Sequence, residues 1–219
     1  AIDLMARMHS GAEKLKGEDC ICYKRRFGEG LLRWELEHFY EYILCDWSER
    51  KPGAGHRKVL EGFFDRLVAM LTSLPYGFVH RDYQSRNLML KDGKLFVIDF
   101  QDALLGPYIY DLVSLLRDSY VEFKKDEVLK FVQHFLDARK EVGLFCFDIE
   151  TTLRHFHLQA LQRKLKDAGR FVYIDRVKKN PKFLPNIPRS LMYAREALEF
   201  LQDFKDAHEV LKELLPEYF

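Results

Sequence analysis

The stretch that most restricts what this chain can fold into lies near its middle. Two β-prone apolar runs, Leu88–Leu90 and Leu95–Ile98, are joined by Lys91-Asp92-Gly93-Lys94. An Asp-Gly pair between such runs is the strongest short-range hairpin signal, because the two-residue turn needs positive φ at both central positions. Both faces of the second run are apolar, which predicts a buried hairpin. Around it, apolar residues recur at helical intervals. Ile2–Met8 reads as the end of a helix stopped by Ser10-Gly11. Leu32, Leu36, Phe39, Ile43 and Trp47 mark a helix over Leu31–Trp47, and Val59, Phe63, Leu67, Met70 and Leu71 mark one ending by Pro75. Gly106-Pro107 is expected to open a helix through Tyr120, since proline suits the first helical turn. Further helices are expected over roughly 125–142, 149–170, 188–203 and 206–214, with a basic, proline-punctuated loop from Arg176 to Pro188. The fold class is α+β, mostly α. Residues 1–219 are expected to form one lobe with a buried β-hairpin and no second domain.

Composition narrows the setting. Apolar residues make up 47% and charged residues 32% of 219, and the 18 Phe and 11 Tyr supply a substantial core. Lys and Arg total 35 against 34 Asp and Glu, so a net charge of +1 gives no general reason to expect nucleic acid or an anionic membrane as partner. No apolar run suggests a membrane span and no signal peptide is present, so a cytoplasmic setting is expected. Cys20 and Cys22 lack the further ligands of a zinc site; with Cys45 and Cys146 they read as ordinary thiols.

The chemistry is written around the hairpin. His80-Arg81-Asp82-Tyr-Gln-Ser-Arg86-Asn87 fits H-R-D-x-x-x-x-N, the catalytic loop of protein kinases, and the hairpin returns the chain to Asp99 at a strand end. Phosphoryl transfer needs an acceptor hydroxyl held in line with the γ-phosphate and cations to neutralise the phosphate oxygens. Asp82 is placed to take the hydroxyl proton; Asn87 and Asp99 offer the hard oxygen ligands that magnesium prefers. Each residue alone has an ordinary alternative as a cap or turn residue. Their order and the predicted hairpin between them argue for the catalytic reading. His80 reads as a packed, hydrogen-bonded support. Asp111 is a candidate acceptor for backbone N–H groups of the loop, and so a structural support of it.

The runs Ile98-Asp-Phe-Gln-Asp-Ala-Leu-Leu-Gly-Pro107 and Tyr110-Asp-Leu-Val-Ser-Leu-Leu-Arg-Asp118, with His80–Met89, resemble the larger, C-terminal lobe of the aminoglycoside phosphotransferase and choline kinase superfamily. Within it they are most similar to the anomeric sugar kinases of bacterial cell-wall recycling. That resemblance implies a protein-kinase-like fold, with the catalytic loop and metal site within 78–111. It also implies ATP and Mg as cofactors, and transfer of the γ-phosphoryl group to the C1 hydroxyl of an N-acetylated amino sugar. Acceptors open beside it are an aminoglycoside, choline or homoserine, and a non-catalytic kinase-like binding module is the reading from another class.

Departures from the protein-kinase pattern carry information. Asp99-Phe100-Gln101 stands where those enzymes have D-F-G, and only Phe100 to Leu105 separate Asp99 from Gly106-Pro107. That leaves no room for a long activation segment, and it favours a small acceptor over a peptide. Gln84 replaces a lysine near the γ-phosphate; Arg86 is a candidate for the missing charge, and Gln101 and Asp102 for acceptor contacts. Glu35 and Glu37 read as solvated or cleft-bordering glutamates. Arg163, Lys164, Lys166, Arg170, Arg176, Lys178 and Lys179 read chiefly as a solvated basic face, with attraction of an anionic substrate as the alternative. Neither a Gly-rich loop nor a strand lysine precedes Ile2, so the chain is expected to lack the smaller N-terminal lobe, its natural partner, and to turn over negligibly alone.

Overall fold

The computed structural model describes residues 1–219. In chain order the helices are α1 (Ile2–Lys14), α2 (Ile21–Lys24), α3 (Glu29–Phe39) continuing as a π-helix (Tyr40–Trp47), and α4 (Ala54–Thr72). Strands β1 (Tyr76–Val79), β2 (Leu88–Lys91), β3 (Lys94–Val97) and β4 (Leu104–Pro107) follow. Helices α5 (Tyr110–Leu116), α6 (Lys125–Glu141), α7 (Ile149–Lys178), α8 (Ile187–Phe200) and α9 (Lys205–Leu214) complete the chain, which is mostly helical. No helix is long and apolar enough to cross a membrane. The contacts divide the chain into two compact units, Ala1–Phe27 with Leu74–Phe156, and Gly28–Ser73 with His157–Phe219.

The first unit contains the hairpin. Strands β2 and β3 pair antiparallel from Leu88↔Val97 to Lys91↔Lys94, and both turn residues have positive φ, 50° at Asp92 and 70° at Gly93. The turn chemistry gave the right register, but the expected burial is corrected. Met89 is 52% exposed, Leu90 74% and Phe96 48%. An apolar sequence states a demand for cover, and a two-stranded ribbon does not itself supply it.

A second ladder went unpredicted. Strand β4 pairs with β1 from Tyr76↔Pro107 to Val79↔Leu104. Gly106-Pro107 therefore ends a strand instead of opening a helix, and α5 begins only at Tyr110. Proline survives here because it occupies the last position of its strand. Gly106 is needed because a Cβ there would stand 2.7 Å from the Phe27 ring and 3.2 Å from Val79 Cγ2. Phe27 is fully buried and stacks on Tyr110 at 4.8 Å, so it has nowhere to go. Helix α1 runs past Ser10-Gly11 to Lys14, its buried Ser10 donating to the carbonyl of Val142 at 3.1 Å. Asp148 caps α7, accepting from Thr151 N at 2.8 Å.

In the second unit, α7 approaches α3 through Gly169, where a Cβ would fall 2.7 Å from the backbone of His38 and Phe39. Leu32, Leu36, Phe39, Phe63, Phe64 and Leu67 are fully buried there. Helix α7 extends to Lys178 and a short 3₁₀ turn over Pro181–Asn186 precedes α8, so little of the expected basic loop is irregular.

Candidate active site

Strand β1 ends at Val79 and delivers His80-Arg81-Asp82. Arg81 has φ +78°, a left-handed conformation that costs a non-glycine residue about 1–3 kcal/mol. Both peptide groups flanking its Cα are held. Arg81 N donates to Asp111 Oδ1 at 3.0 Å, and Ser114 Oγ donates to the Arg81 carbonyl at 3.2 Å. Asp111 and Ser114 lie three residues apart on α5, hence on one face. The second carboxylate oxygen of Asp111 accepts His80 N at 2.8 Å and lies 3.0 Å from His9 Nε2. Asp111 is wholly buried, so its charge is met by these donors. The His80 ring is also buried and meets Tyr83 edge-on at 5.9 Å, but neither ring nitrogen has a partner. Its hydrogen bonding is through the backbone amide, and its ring contributes by packing.

Beyond Asp82 a short 3₁₀ turn, Ser85–Asn87, sets the next group. Ser85 N donates to Asp118 Oδ2 at 2.8 Å, and the other oxygen of this buried carboxylate accepts Tyr120 N. Asn87 Nδ2 then donates to the Asp82 carbonyl at 2.9 Å. The hairpin closes onto the same residue, with Ile98 N donating to the Asn87 carbonyl at 3.0 Å. Asp99 follows with φ +69°, a conformation aspartate tolerates better than most side chains. Its Oδ2 lies 3.4 Å from Asn87 Nδ2, and its Oδ1 accepts Gln101 Nε2 at 2.9 Å. One side-chain amide thus touches the backbone of Asp82 and the carboxylate of Asp99. Asp102 pairs with Arg25 at 3.5 Å, and Arg25 also reaches the Gln101 carbonyl at 3.4 Å. Arg86 is exposed, its guanidinium 3.3 Å from the centroid of the Tyr120 ring.

The donor set suits a hard divalent cation. Asn87 commits its NH₂ to the Asp82 carbonyl, leaving its amide oxygen as the free acceptor, and the Asp99 carboxylate is exposed. No cluster of three or more His, Cys, Asp or Glu side chains could hold a metal alone. Magnesium is commonly held in this partial way, by one or two protein oxygens with phosphate and water completing the shell. His9, Ser114 and Asp118 escaped the sequence reading; Ser114 and Asp118 lay in the Tyr110–Asp118 run without being given a role, and a histidine 102 residues from its carboxylate leaves no local signal.

The remaining polar candidates lie in the second unit and are corrected. Glu35 is only 2% exposed and accepts from Gln162 at 2.7 Å, so it is not a solvated glutamate. Burial alone would raise the Glu37 carboxyl, but Arg57 and Arg33 outweigh it and hold it below the usual carboxylate range. The basic run is not one solvated face either. Arg163 and Lys164 are 4% and 1% exposed and converge with Lys166 on Asp167. Arg176 pairs with Asp46 and Asp175.

Known structures share this architecture at low identity. A choline/ethanolamine kinase family protein from Mesorhizobium loti matches 96% of the chain and 66% of its own, at 15% identity and TM-score 0.59. The amicoumacin kinase hAmiN, in complex with AMP-PNP, Ca2+ and Ami, matches 91% and 57%, at 18% identity and TM-score 0.61. These likenesses show that the chain shares the fold of those two kinases. More particularly, the chain belongs to the phosphotransferase enzyme family, whose sequence model matches residues 1–145. It is 35% identical over 188 residues to the N-acetylmuramate/N-acetylglucosamine kinase of Neisseria meningitidis serogroup B, covering 85% of this chain and 56% of that protein. The enzyme of the same name from Pseudomonas aeruginosa is 32% identical over 198 residues, again with 56% of its length covered. The chain therefore spans a little over half the length of the relatives it matches.

Proposed function

We propose that this chain is the larger lobe of an ATP-dependent small-molecule kinase, with the anomeric hydroxyl of an N-acetylated amino sugar as acceptor. The observation that carries this is the meeting of Asp82, Asn87 and Asp99 through one side-chain amide in a chain 35% identical to a kinase named for those sugars. In this reading the Asp82 carboxylate orients the sugar hydroxyl and takes its proton as the oxygen attacks the γ-phosphorus. The new O–P bond forms while the bridging O–P bond breaks, and ADP leaves. Asn87 and Asp99 would hold magnesium, which when bound neutralises charge on the phosphate oxygens. Asp111 keeps Asp82 in place through the His80 and Arg81 amides. The short passage from Asp99 to β4 supports a small acceptor, because it offers no platform for a peptide. Gln101 and Asp102, at the start of that passage, are candidate acceptor contacts. Arg86 is a candidate phosphate contact, although its charge already stacks on Tyr120.

The test is phosphorus NMR of the full-length protein with ATP, magnesium and a panel of acceptors. A sugar 1-phosphate from N-acetylglucosamine or N-acetylmuramate is expected. Product from choline, homoserine or an aminoglycoside alone would replace the acceptor, and no transfer to any of them would refute the kinase reading. The chain covers 56% of the Neisseria relative, and the 219 residues alone are expected to bind nucleotide weakly and turn over negligibly.

A further inference from the structure

On α6, Arg139 is buried where a cation has no obvious reason to be. It is 7% exposed and no carboxylate pairs with it. Its Nη2 donates to the Phe145 carbonyl at 3.0 Å, while its Nε is buried without a partner. Tyr108 and Phe135 cover the guanidinium at 5.1 and 5.3 Å, and the Cys146 side chain lies beside it. Ring faces stabilise a cation by about 1–2 kcal/mol when desolvated, which is less than burying a charge costs. The cost shows as a guanidinium held below its ordinary basicity by burial.

Arg139 lines a cavity of about 360 Å³ walled by Tyr76, Phe78, Tyr108, Phe145 and Phe147. That size falls within the range of small-ligand sites, which pair apolar walls with a few convergent polar groups. Glu13 stands at the wall, but it is 38% exposed and pairs with Lys16 at 3.4 Å. The buried charge of the cavity is therefore positive.

We propose that this cavity is a binding site for a small organic carboxylate with an apolar or aromatic body. The carboxylate would meet the Arg139 guanidinium at the cavity wall, since a guanidinium's planar donors suit carboxylate geometry. The body would lie among the aromatic rings. His9, which also lines the cavity, holds Asp111, so this site and the catalytic-loop cradle share one side chain. The proposal does not depend on which acceptor the kinase uses.

The probe is 4-fluorophenylacetate, followed by fluorine NMR line broadening on the full-length protein. Broadening that unlabelled phenylacetate reverses is expected, with 4-fluorobenzyl alcohol binding at least about tenfold more weakly, as loss of a charge-assisted pair implies. Arg139→Gln should abolish the broadening while circular dichroism stays unchanged. Should that variant not fold, two surface changes decide. Phe145 is 69% exposed, and Phe145→Ala should weaken binding several-fold without loss of fold. Glu13→Gln should strengthen it by removing a repelling charge. No broadening in the wild type, equal binding of the alcohol, or affinity unmoved by both surface changes would overturn the proposal.

Discussion

Arg81 lies one residue before the proposed proton acceptor in a conformation few side chains adopt, and two side chains of α5 keep it there. Asp111→Ala would leave the buried amide of His80 and the part-buried amide of Arg81 without an acceptor. At about 1–3 kcal/mol for each such group, the loss should be roughly 3–4 kcal/mol in urea unfolding. An unfolding free energy within about 1 kcal/mol of wild type would show that the loop holds its own shape. Asp167 offers a second residue-scale prediction. Burial alone would raise its pKa, but Lys164, Lys166 and Arg163 outweigh burial and hold the carboxyl far below its ordinary range. Lys164, in turn, is pulled down by burial. Asp167→Asn should destabilise by about 3–5 kcal/mol at neutral pH, because it leaves a buried ammonium without its anion. Below pH of about 3.9 the unfolded chain takes up a proton at Asp167 that the folded chain refuses. The contribution is therefore present above that pH and fades as pH falls, so the gap between variant and wild type should narrow in acid. A gap that stays constant from about pH 7 to about pH 3 would contradict the assigned pairing.

At the scale of elements, the legible parts were those with local signals. The Asp92-Gly93 turn fixed the β2–β3 register, and apolar periodicity located α4, α6, α8 and α9 to within a few residues. The β1–β4 ladder was invisible because its partners lie about 30 residues apart and each strand has only four residues. Gly106 and Gly11 show the same limit. Gly106 read as part of a helix start and Gly11 as a helix stop, yet Gly106 lies in a ladder against Phe27, while Gly11 lies inside α1 with nothing within 4 Å of where a Cβ would sit. Gly106→Ala should destabilise by about 1–3 kcal/mol through overpacking. Gly11→Ala should stabilise by about 0.5–1 kcal/mol through the lost freedom of the unfolded chain. Thermal unfolding of the two variants checks both, and shifts of the same sign would contradict the packing described for these two positions.

For the whole molecule, membership of the phosphotransferase family and the kinase-type fold account for the close placement of Asp82, Asn87 and Asp99. The order of those residues was readable because the motif is contiguous. Their support by His9 and Ser114 was not, since it depends on which helices pack against the loop. The most direct measurement is the turnover of Asp82→Asn in the full-length protein, with ATP, magnesium and N-acetylglucosamine. Loss of a general base that also orients the acceptor should lower kcat by about 10²–10⁴-fold, with KM for ATP changed little. A kcat within a few-fold of wild type would contradict the central claim that Asp82 receives the acceptor's proton.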